Sequence, residues 1–378
     1  MRTLIIGRGI PTAEYPINGV FEYEQAVALA KQDIEVYFVA IDLRSFRRKR
    51  KWGIHSYKVE KLNIIEANIP LGRIPRKMLI HIGSMVLKNI LKNKIRMSEK
   101  DIIHAHFMDV AEMTRSVIKN ANNPFIITEH SSLIAKMDKN HVDYSSIKEL
   151  YSSADLVLGV SNSFCNHLTE IFGVETKCVG NVVDTSAFTY ENKKVEKEFV
   201  FVTAGRLVPG KSIDLLIEAF SRISTSNDNV YLKIIGYGPE KENLIKLVST
   251  KKLEEKIEFC GTLTKSEINE QYKNAHCFVL PSKAETFGVV YIEAMTSGLP
   301  IIVTKCGGPE DFINENNGIM VEVDNVDELA LAMQNMIINY ESYNYASISK
   351  QAIEKYSPES ISNQLIELYQ NLKNDKKS

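Results

Sequence analysis

Short apolar runs closed by polar or turn residues recur along the 378 residues, separated by helix-like sequence, and that alternation constrains the fold more than any other feature. The first half carries them at Thr3–Ile6, Glu35–Ile41, Ile102–Ala105, Phe125–Thr128 and Leu156–Val160. The pattern restarts at Glu198–Gly205 and continues through Val230–Ile235, Ile257–Cys260, Cys277–Pro281 and Pro300–Thr304. Strand alternating with helix predicts βαβ units and a parallel sheet. Between the two series, Asp184–Lys197 is polar and poor in apolar residues, as a linker would be. The length suits two domains of about 150–200 residues. The chain therefore reads as α/β, two Rossmann-like doubly wound domains over residues 1–183 and 184–355. The spacing of Ile361, Leu365, Leu368 and Leu372 predicts a closing helix within 356–378, expected to pack back on the first domain. Two such domains are expected to face each other across a cleft at the carboxyl ends of their strands, where ligands bind. The loops that follow the strands are thus the place to seek chemistry.

Composition removes several classes. Hydrophobic content of 44% and charged content of 25% are ordinary for a globular protein. No run approaches the roughly 18–20 apolar residues of a membrane span. The first run ends at Gly7, short of the roughly 7–15 apolar residues of a signal peptide, so a cytoplasmic protein is expected. Cys165, Cys178, Cys260, Cys277 and Cys306 are scattered singly, without metal or disulfide spacing. The net charge of −1 conceals residues 44–100, where 16 basic residues meet only three acidic ones.

Four loops of the second half carry unusual residues. Gly205-Arg206-Leu207-Val208-Pro209-Gly210-Lys211-Ser212 follows a strand and opens a helix, placing two cations where backbone N–H groups already favour an anion. Its letters also satisfy the phosphate-binding P-loop pattern. Gly236-Tyr237-Gly238-Pro239 follows the next strand. Glu285 lies in a third loop and Glu293 about two turns along the helix after it, with Thr286-Phe287-Gly288-Val289 supplying backbone donors at the helix start. A carboxylate accepts two hydrogen bonds and so grips vicinal hydroxyls of a ribose or hexose. In the fourth loop, Gly307-Gly308-Pro309-Glu310, paired glycines allow a backbone to approach a ligand closely.

The order GR(x4)K, GxGP, E-x7-E and GGPE resembles the retaining glycosyltransferases of family four, which share the GT-B fold. The likeness extends through the first half, in Gly19, IIHAHF at 102–107, TEH at 128–130, VSNSF at 160–164 and NVVD at 181–184. It removes the P-loop ambiguity, because a P-loop enzyme carries that loop after its first strand.

The resemblance implies a metal-independent hexosyltransferase that uses a nucleoside diphosphate sugar, with UDP favoured, and needs no cofactor. Arg206 and Lys211 would stabilise charge on the leaving diphosphate, helped by backbone amides around Phe287, Gly288 and Val289. Glu285 would hold the donor sugar, Glu293 the ribose hydroxyls, and His130 the sugar near the reacting centre. Gly19, Gly236 and Gly261 complete the donor-binding set. The absence of any Asp-x-Asp sequence agrees with catalysis without metal. A lipid-linked or oligosaccharide acceptor for surface polysaccharide is expected, with no nucleic acid partner. Peripheral contact with the inner face of an anionic membrane is expected through the basic stretch, where Arg44–Trp52 interleaves cations with aromatics and the helix from Arg76 shows an apolar face of Leu79, Ile82, Val86 and Ile90. The alternatives are a nucleotide-sugar epimerase of the same fold, a phosphorylase, and a non-catalytic nucleotide-sugar-binding protein.

Overall fold

The computed structural model describes residues 1–44, 46–119, 122–191, 198–225 and 227–375. Of the linker stretch 184–197, residues 192–197 lie outside the described residues, as does Ser45 in the basic run. The chain divides into two compact units, Met1–Val182 together with the segment from Pro358, and Val183–Ser357.

The first unit holds β1 (Arg2–Gly7), β2 (Glu35–Asp42), β3 (Gly53–Val59), β4 (Leu62–Asn68), β5 (Ile102–His106), β6 (Phe125–Glu129), β7 (Leu156–Gly159) and β8 (Thr176–Cys178) in one sheet of order β3-β4-β2-β1-β5-β6-β7-β8. Its helices are α1 (Val20–Lys31), α2 (Arg76–Ile90), α3 (Met108–Ile118), α4 (Tyr144–Ser152) and α5 (Asn162–Phe172). The expected strands are present, and their uninterrupted apolar character follows from burial on both faces. One departure is the β3–β4 hairpin, whose edge strand β3 runs antiparallel. Half of β3 faces solvent, so its sequence carries little apolar signal.

The second unit is a six-stranded, wholly parallel sheet. Its strands are β9 (Phe199–Ala204), β10 (Val230–Ile235), β11 (Ile257–Gly261), β12 (Cys277–Leu280), β13 (Ile301–Thr304) and β14 (Gly318–Val321), in the order β11-β10-β9-β12-β13-β14. Helices α6 (Ile213–Ser224), α7 (Lys241–Thr250), α8 (Lys265–Lys273), α9 (Val289–Thr296), α10 (Val326–Asn339) and α11 (Tyr345–Tyr356) make the crossovers and the end of the unit. Because every strand runs the same way, the loops after β9, β10, β11, β12 and β13 all leave one edge of the sheet.

The final helix, α12 (Pro358–Asp375), belongs to the first unit and packs on α1. Ile361, Leu365 and Tyr369 are buried there, and the Ser362 hydroxyl accepts from Gln32 Nε2 at 3.1 Å. Among the described residues, no helix is long and apolar enough to cross a membrane.

The apolar face expected on α2 is displaced. The buried stripe is Ile80, Gly83, Leu87 and Ile90, while Leu79, Ile82 and Val86 flank it half-exposed. Gly83 lies at the closest approach: a β-carbon there would lie 2.4 Å from Met113 Sδ and 3.0 Å from Leu43 Cδ1, so a larger residue would require these side chains to shift.

Docking of α12 by buried side chains predicts that Leu365→Ala lowers the stability of the first unit by about 2–5 kcal/mol. Urea unfolding checks this, and an unchanged midpoint would show that the helix contributes nothing to the core.

Candidate active site

The second unit builds its site from the loops at one sheet edge, and their backbones are bonded to one another. Gly205 N donates to Ile235 O at 3.0 Å, Leu207 N to Tyr237 O at 2.8 Å, and Gly236 N to Gly261 O at 2.8 Å. Gly236 has φ 140°, and a β-carbon there would fall 1.8 Å from Gly205 O. This position admits only glycine, because two backbones meet without room for a side chain. On the other side, Lys283 N donates to Gly210 O at 2.9 Å, Glu285 N to Cys306 O at 2.9 Å, and Gly308 N to Glu285 O at 2.8 Å. The paired glycines thus approach the protein's own Phe287 backbone, since a β-carbon on Gly308 would come within 2.5 Å of Phe287 Cα.

Glu285 stands at the middle of this weave. Its Oε1 pairs with Lys211 Nζ and accepts from Ser282 Oγ at 2.8 Å. Among the described residues Oε2 has no hydrogen-bond partner, so one carboxylate oxygen remains for a ligand. Ser282, which the sequence reading did not single out, therefore orients the acid; its position three residues before Glu285, just after β12, was the available signal. Arg206 is exposed and makes no salt bridge among the described residues. Gly288, in the left-handed region at φ 95°, starts α9 with no side-chain cap, and Val289 and Val290 beside it are half-exposed. The first-turn N–H groups and the helix dipole therefore favour an anion. Phe287 is buried and meets Phe312 and Tyr356 edge-on, at 6.2 and 5.4 Å between ring centres, so only its backbone faces the site. Glu293 is half-buried on the second turn of α9, near enough to help raise the pKa of the buried Tyr272, whose main cause is burial. Gly261 closes β11 at φ 72°. Cys306, beside Glu285, is pushed up to about 12 by burial and stays a thiol.

In the first unit, Gly19 caps α1 at φ 70°, and a β-carbon on it would lie 2.1 Å from Gly9 O. Gly9, ten residues earlier in sequence, thus lies directly against Gly19. His130 follows β6 and is 7% exposed. Its ring stacks on Phe21 at 5.6 Å and lies 4.9 Å from Phe107, a residue held at φ 65°.

A polar chain runs inward from His130. The Gln25 amide nitrogen donates to His106 Nε2 at 3.2 Å, which leaves Nδ1 as the His106 donor to His130 Nε2 at 2.9 Å and puts the His130 proton on Nδ1. Gln25 also reaches His104 Nδ1 at 3.4 Å, which the Tyr369 hydroxyl of α12 meets at 2.7 Å, and His104 Nε2 bonds Thr128 Oγ1 at 2.6 Å. Burial brings His104 and His130 down to about 3, with Arg8 and His104 lowering His130 further and Asn181 opposing. His106 lies well below its ordinary value, from burial and then from His104, His130 and Arg8. All three rings are neutral at pH 7, and His104 and His106 form an interior network rather than a ligand surface.

Comparison with known proteins accords with this geometry. The family model "Glycosyltransferase Family 4" matches residues 19–187, and "Glycosyl transferases group 1" matches 184–355. An uncharacterized glycosyltransferase of Methanocaldococcus jannaschii is 26% identical over 335 residues, covering 88% of each chain. The alpha-monoglucosyldiacylglycerol synthase of Acholeplasma laidlawii is 26% identical over 283 residues, 66% of this chain and 70% of that one. A solved structure of Anabaena HepE in complex with UDP superposes with a TM-score of 0.73 at 16% identity, over 98% of this chain and 99% of that one, and so is similar in fold.

The neutral histidines imply acid sensitivity. In the unfolded chain histidine takes up protons below about 6.5, whereas His104 and His130 resist to about 3 when folded. Between those values the unfolded state binds more protons, so stability falls as pH is lowered. Glu129, whose pKa burial raises above 4.5, acts in the opposite sense just above that value. The expected net result is a melting temperature that drops from pH 7 to pH 4. In His104→Gln the slope should be shallower by on the order of 1 kcal/mol per pH unit. Identical slopes in the two proteins would contradict the buried neutral assignment.

Proposed function

This chain belongs to the GT-B glycosyltransferases, with a family 4 domain followed by a group 1 domain, and on that premise we propose that it transfers a hexose or N-acetylhexosamine from a nucleoside diphosphate sugar, UDP favoured, to a lipid-linked or glycan acceptor, with retained stereochemistry and without a metal. The observation that carries the reading is Glu285, fixed by Lys211 and Ser282 with its second oxygen unused, beside the open start of α9. UDP is favoured because a full-length structural neighbour was solved with it, and a lipid acceptor is supported by the glucosyldiacylglycerol synthase relative.

The chemistry follows from charge. Breaking the bond between the anomeric carbon and the phosphate oxygen puts negative charge on the diphosphate. Lys211, Arg206 and the N–H groups of Gly288, Val289 and Val290 lower the barrier to the extent that they bind that charge more tightly in the transition state. Lys211 has three N–H donors, so it serves the diphosphate while keeping Glu285 in place. Glu285 Oε2 accepts from hydroxyls of the donor sugar, and Glu293 from those of the ribose. His130 is neutral and acts by hydrogen bonding to the sugar rather than by charge. Gly261, where a β-carbon would meet open space, leaves its backbone accessible to the donor, while Gly19 and Gly236 let the loops around the donor pack directly on neighbouring backbone. Burial holds Cys306, beside Glu285, as a thiol and not as a nucleophilic thiolate.

Contact with an anionic membrane is part of the same proposal. Met78 and Met85 on α2 are each 53% exposed, Leu79, Ile82 and Val86 are partly so, and Lys77 and Lys88 are exposed on the same helix. Apolar side chains rimmed by lysine suit a surface of anionic lipid.

Thermal-shift screening with UDP, GDP, ADP and dTDP sugars tests the donor, and stabilisation by none of them would sink the transferase reading. With an active donor in hand, Lys211→Ala and Arg206→Ala should each lower turnover by about 10²-fold or more; wild-type rates in both would remove their assigned role. In flotation, the protein should rise with vesicles containing phosphatidylglycerol and stay behind with purely zwitterionic ones. Equal recovery would leave α2 an ordinary exposed helix.

A further inference from the structure

The first unit gathers cations where they are costly. Arg8 follows β1, and Arg44, Arg48 and Arg50 follow β2, the neighbouring parallel strand, so both loops leave the same sheet edge. The two loops are in contact: a β-carbon on Gly9 would lie 2.2 Å from Asn18 Nδ2 and 3.1 Å from Asp42 Oδ2. Asp42 is buried and already engaged, since Oδ2 takes Arg50 Nη1 and, at 3.1 Å, Asn18, while Oδ1 accepts the Arg44 N–H at 3.1 Å. Glu22, also buried, meets Arg8 Nε at 3.5 Å.

Four guanidinium groups thus face two carboxylates. Arg48 and Arg50 share the face of Tyr15, at 4.8 and 5.6 Å from its centre, and the Arg8 guanidinium lies 3.1 Å over Phe107. Only 9% of the Arg50 side chain is exposed, yet its Nε has no hydrogen-bond partner, and neither does the buried Arg48 Nη1. Burial lowers the Arg44 pKa, Asp42 opposes, and Arg48, Arg8 and Arg50 lower it further, as expected for like charges held together. An unpaired N–H buried on a charged group is costly, and a bound anion would supply the missing acceptor. The surplus of guanidinium groups over the carboxylates bonded to them and the planar donor forks match a tetrahedral phosphate, which arginine binds with paired hydrogen bonds.

We propose that Arg8, Arg44, Arg48 and Arg50 form a subsite for a phosphate carried by the acceptor. The assignment to the acceptor rests on the function proposed above, in which Lys211, Arg206 and the start of α9 already serve the donor diphosphate. It also rests on position: Phe107, beneath Arg8, is the ring packed 4.9 Å from His130, so the subsite adjoins the residue assigned to the reacting sugar. A phosphodiester in a lipid-linked acceptor and a phosphomonoester on a soluble acceptor offer the same chemistry to these arginines.

Calorimetric titration tests the subsite, using inorganic phosphate and then glycerol 1-phosphate against chloride at matched ionic strength. The proteins are the wild type, Arg48→Gln, the double variant Arg44→Gln/Arg48→Gln and Lys211→Ala, each with and without saturating UDP. The expected result is phosphate binding to the wild type and Lys211→Ala, retained with UDP present, and weakened roughly tenfold or more in the double variant. In phosphate-free buffer both arginine variants should melt no lower than the wild type, because the changes remove mutually repelling charges. Short-chain phosphatidylglycerol micelles in place of glycerol 1-phosphate separate the sources: tighter binding of the lipid points to a lipid-linked acceptor, and equal binding to a soluble one. Unchanged phosphate affinity in the double variant would overturn the proposal. So would loss of phosphate binding in the presence of UDP together with weakened UDP binding in the double variant, since the arginines would then belong to the donor diphosphate. Failure of UDP to bind any of the proteins would count against the donor assignment and leave the phosphate titration intact.

Discussion

In the second unit, all six strands of the sheet point the same way, and most of what is functional there depends on that parallel direction. Parallel strands need crossovers, so each chain segment returns across one face or the other of the sheet and the loops after β9 to β13 gather at one edge. Their backbone groups must find partners, and they find them in each other: Gly205 with Ile235, Gly236 with Gly261, Glu285 with Cys306 and Gly308. Glycine is required where these backbones cross, at Gly236 above all. Hydrogen bonding and steric exclusion together make a rigid floor, and Glu285 stands on it with Lys211 and Ser282 fixing one oxygen.

The first unit solves a different problem, that of placing polar groups in its core. Three histidines, Gln25, Thr128 and Tyr369 bond to one another in a chain that stays uncharged, because burial suppresses protonation, and only His130 Nδ1 at its outer end lacks a partner among the described residues. The same chain ties α12 to the sheet through the Tyr369 hydroxyl. Near its outer end, Arg8 and the β2 loop hold more positive charge than their carboxylates balance. One unit thus presents neutral hydrogen-bonding groups beside concentrated positive charge, and the other an oriented acid beside a lysine and a helix start.

Much of this was legible in the residues. The apolar runs gave the strands of both sheets except β3, β4, β8 and β14. The hairpin was hidden because β3 is an edge strand with half its residues in solvent, and an alternating polar edge looks like a loop. The glycines and acids of the second-half loops lie close together in sequence, so the arrangement around Glu285, Phe287 and Gly288 could be read from spacing. Ser282 is only weakly marked, since its spacing from Glu285 gains meaning once its hydroxyl is seen on the carboxylate. The phase of α2 was misread because Gly83 counts as no apolar residue, yet it permits the closest approach.

By itself the sequence determined the alternation of elements, the parallel character of the second sheet and the residue types at its edge, because backbone periodicity and burial act over neighbours a few residues apart. Tertiary structure alone decided that Gly9 lies against Gly19, that His130 is held by His106 and not by solvent, and that Arg48 and Arg50 turn inward onto Tyr15 instead of lining a uniformly solvated basic face. These pairings join residues from 10 to 35 positions apart or depend on which way a side chain turns, and charge counted along the chain does not reveal which cations are buried together.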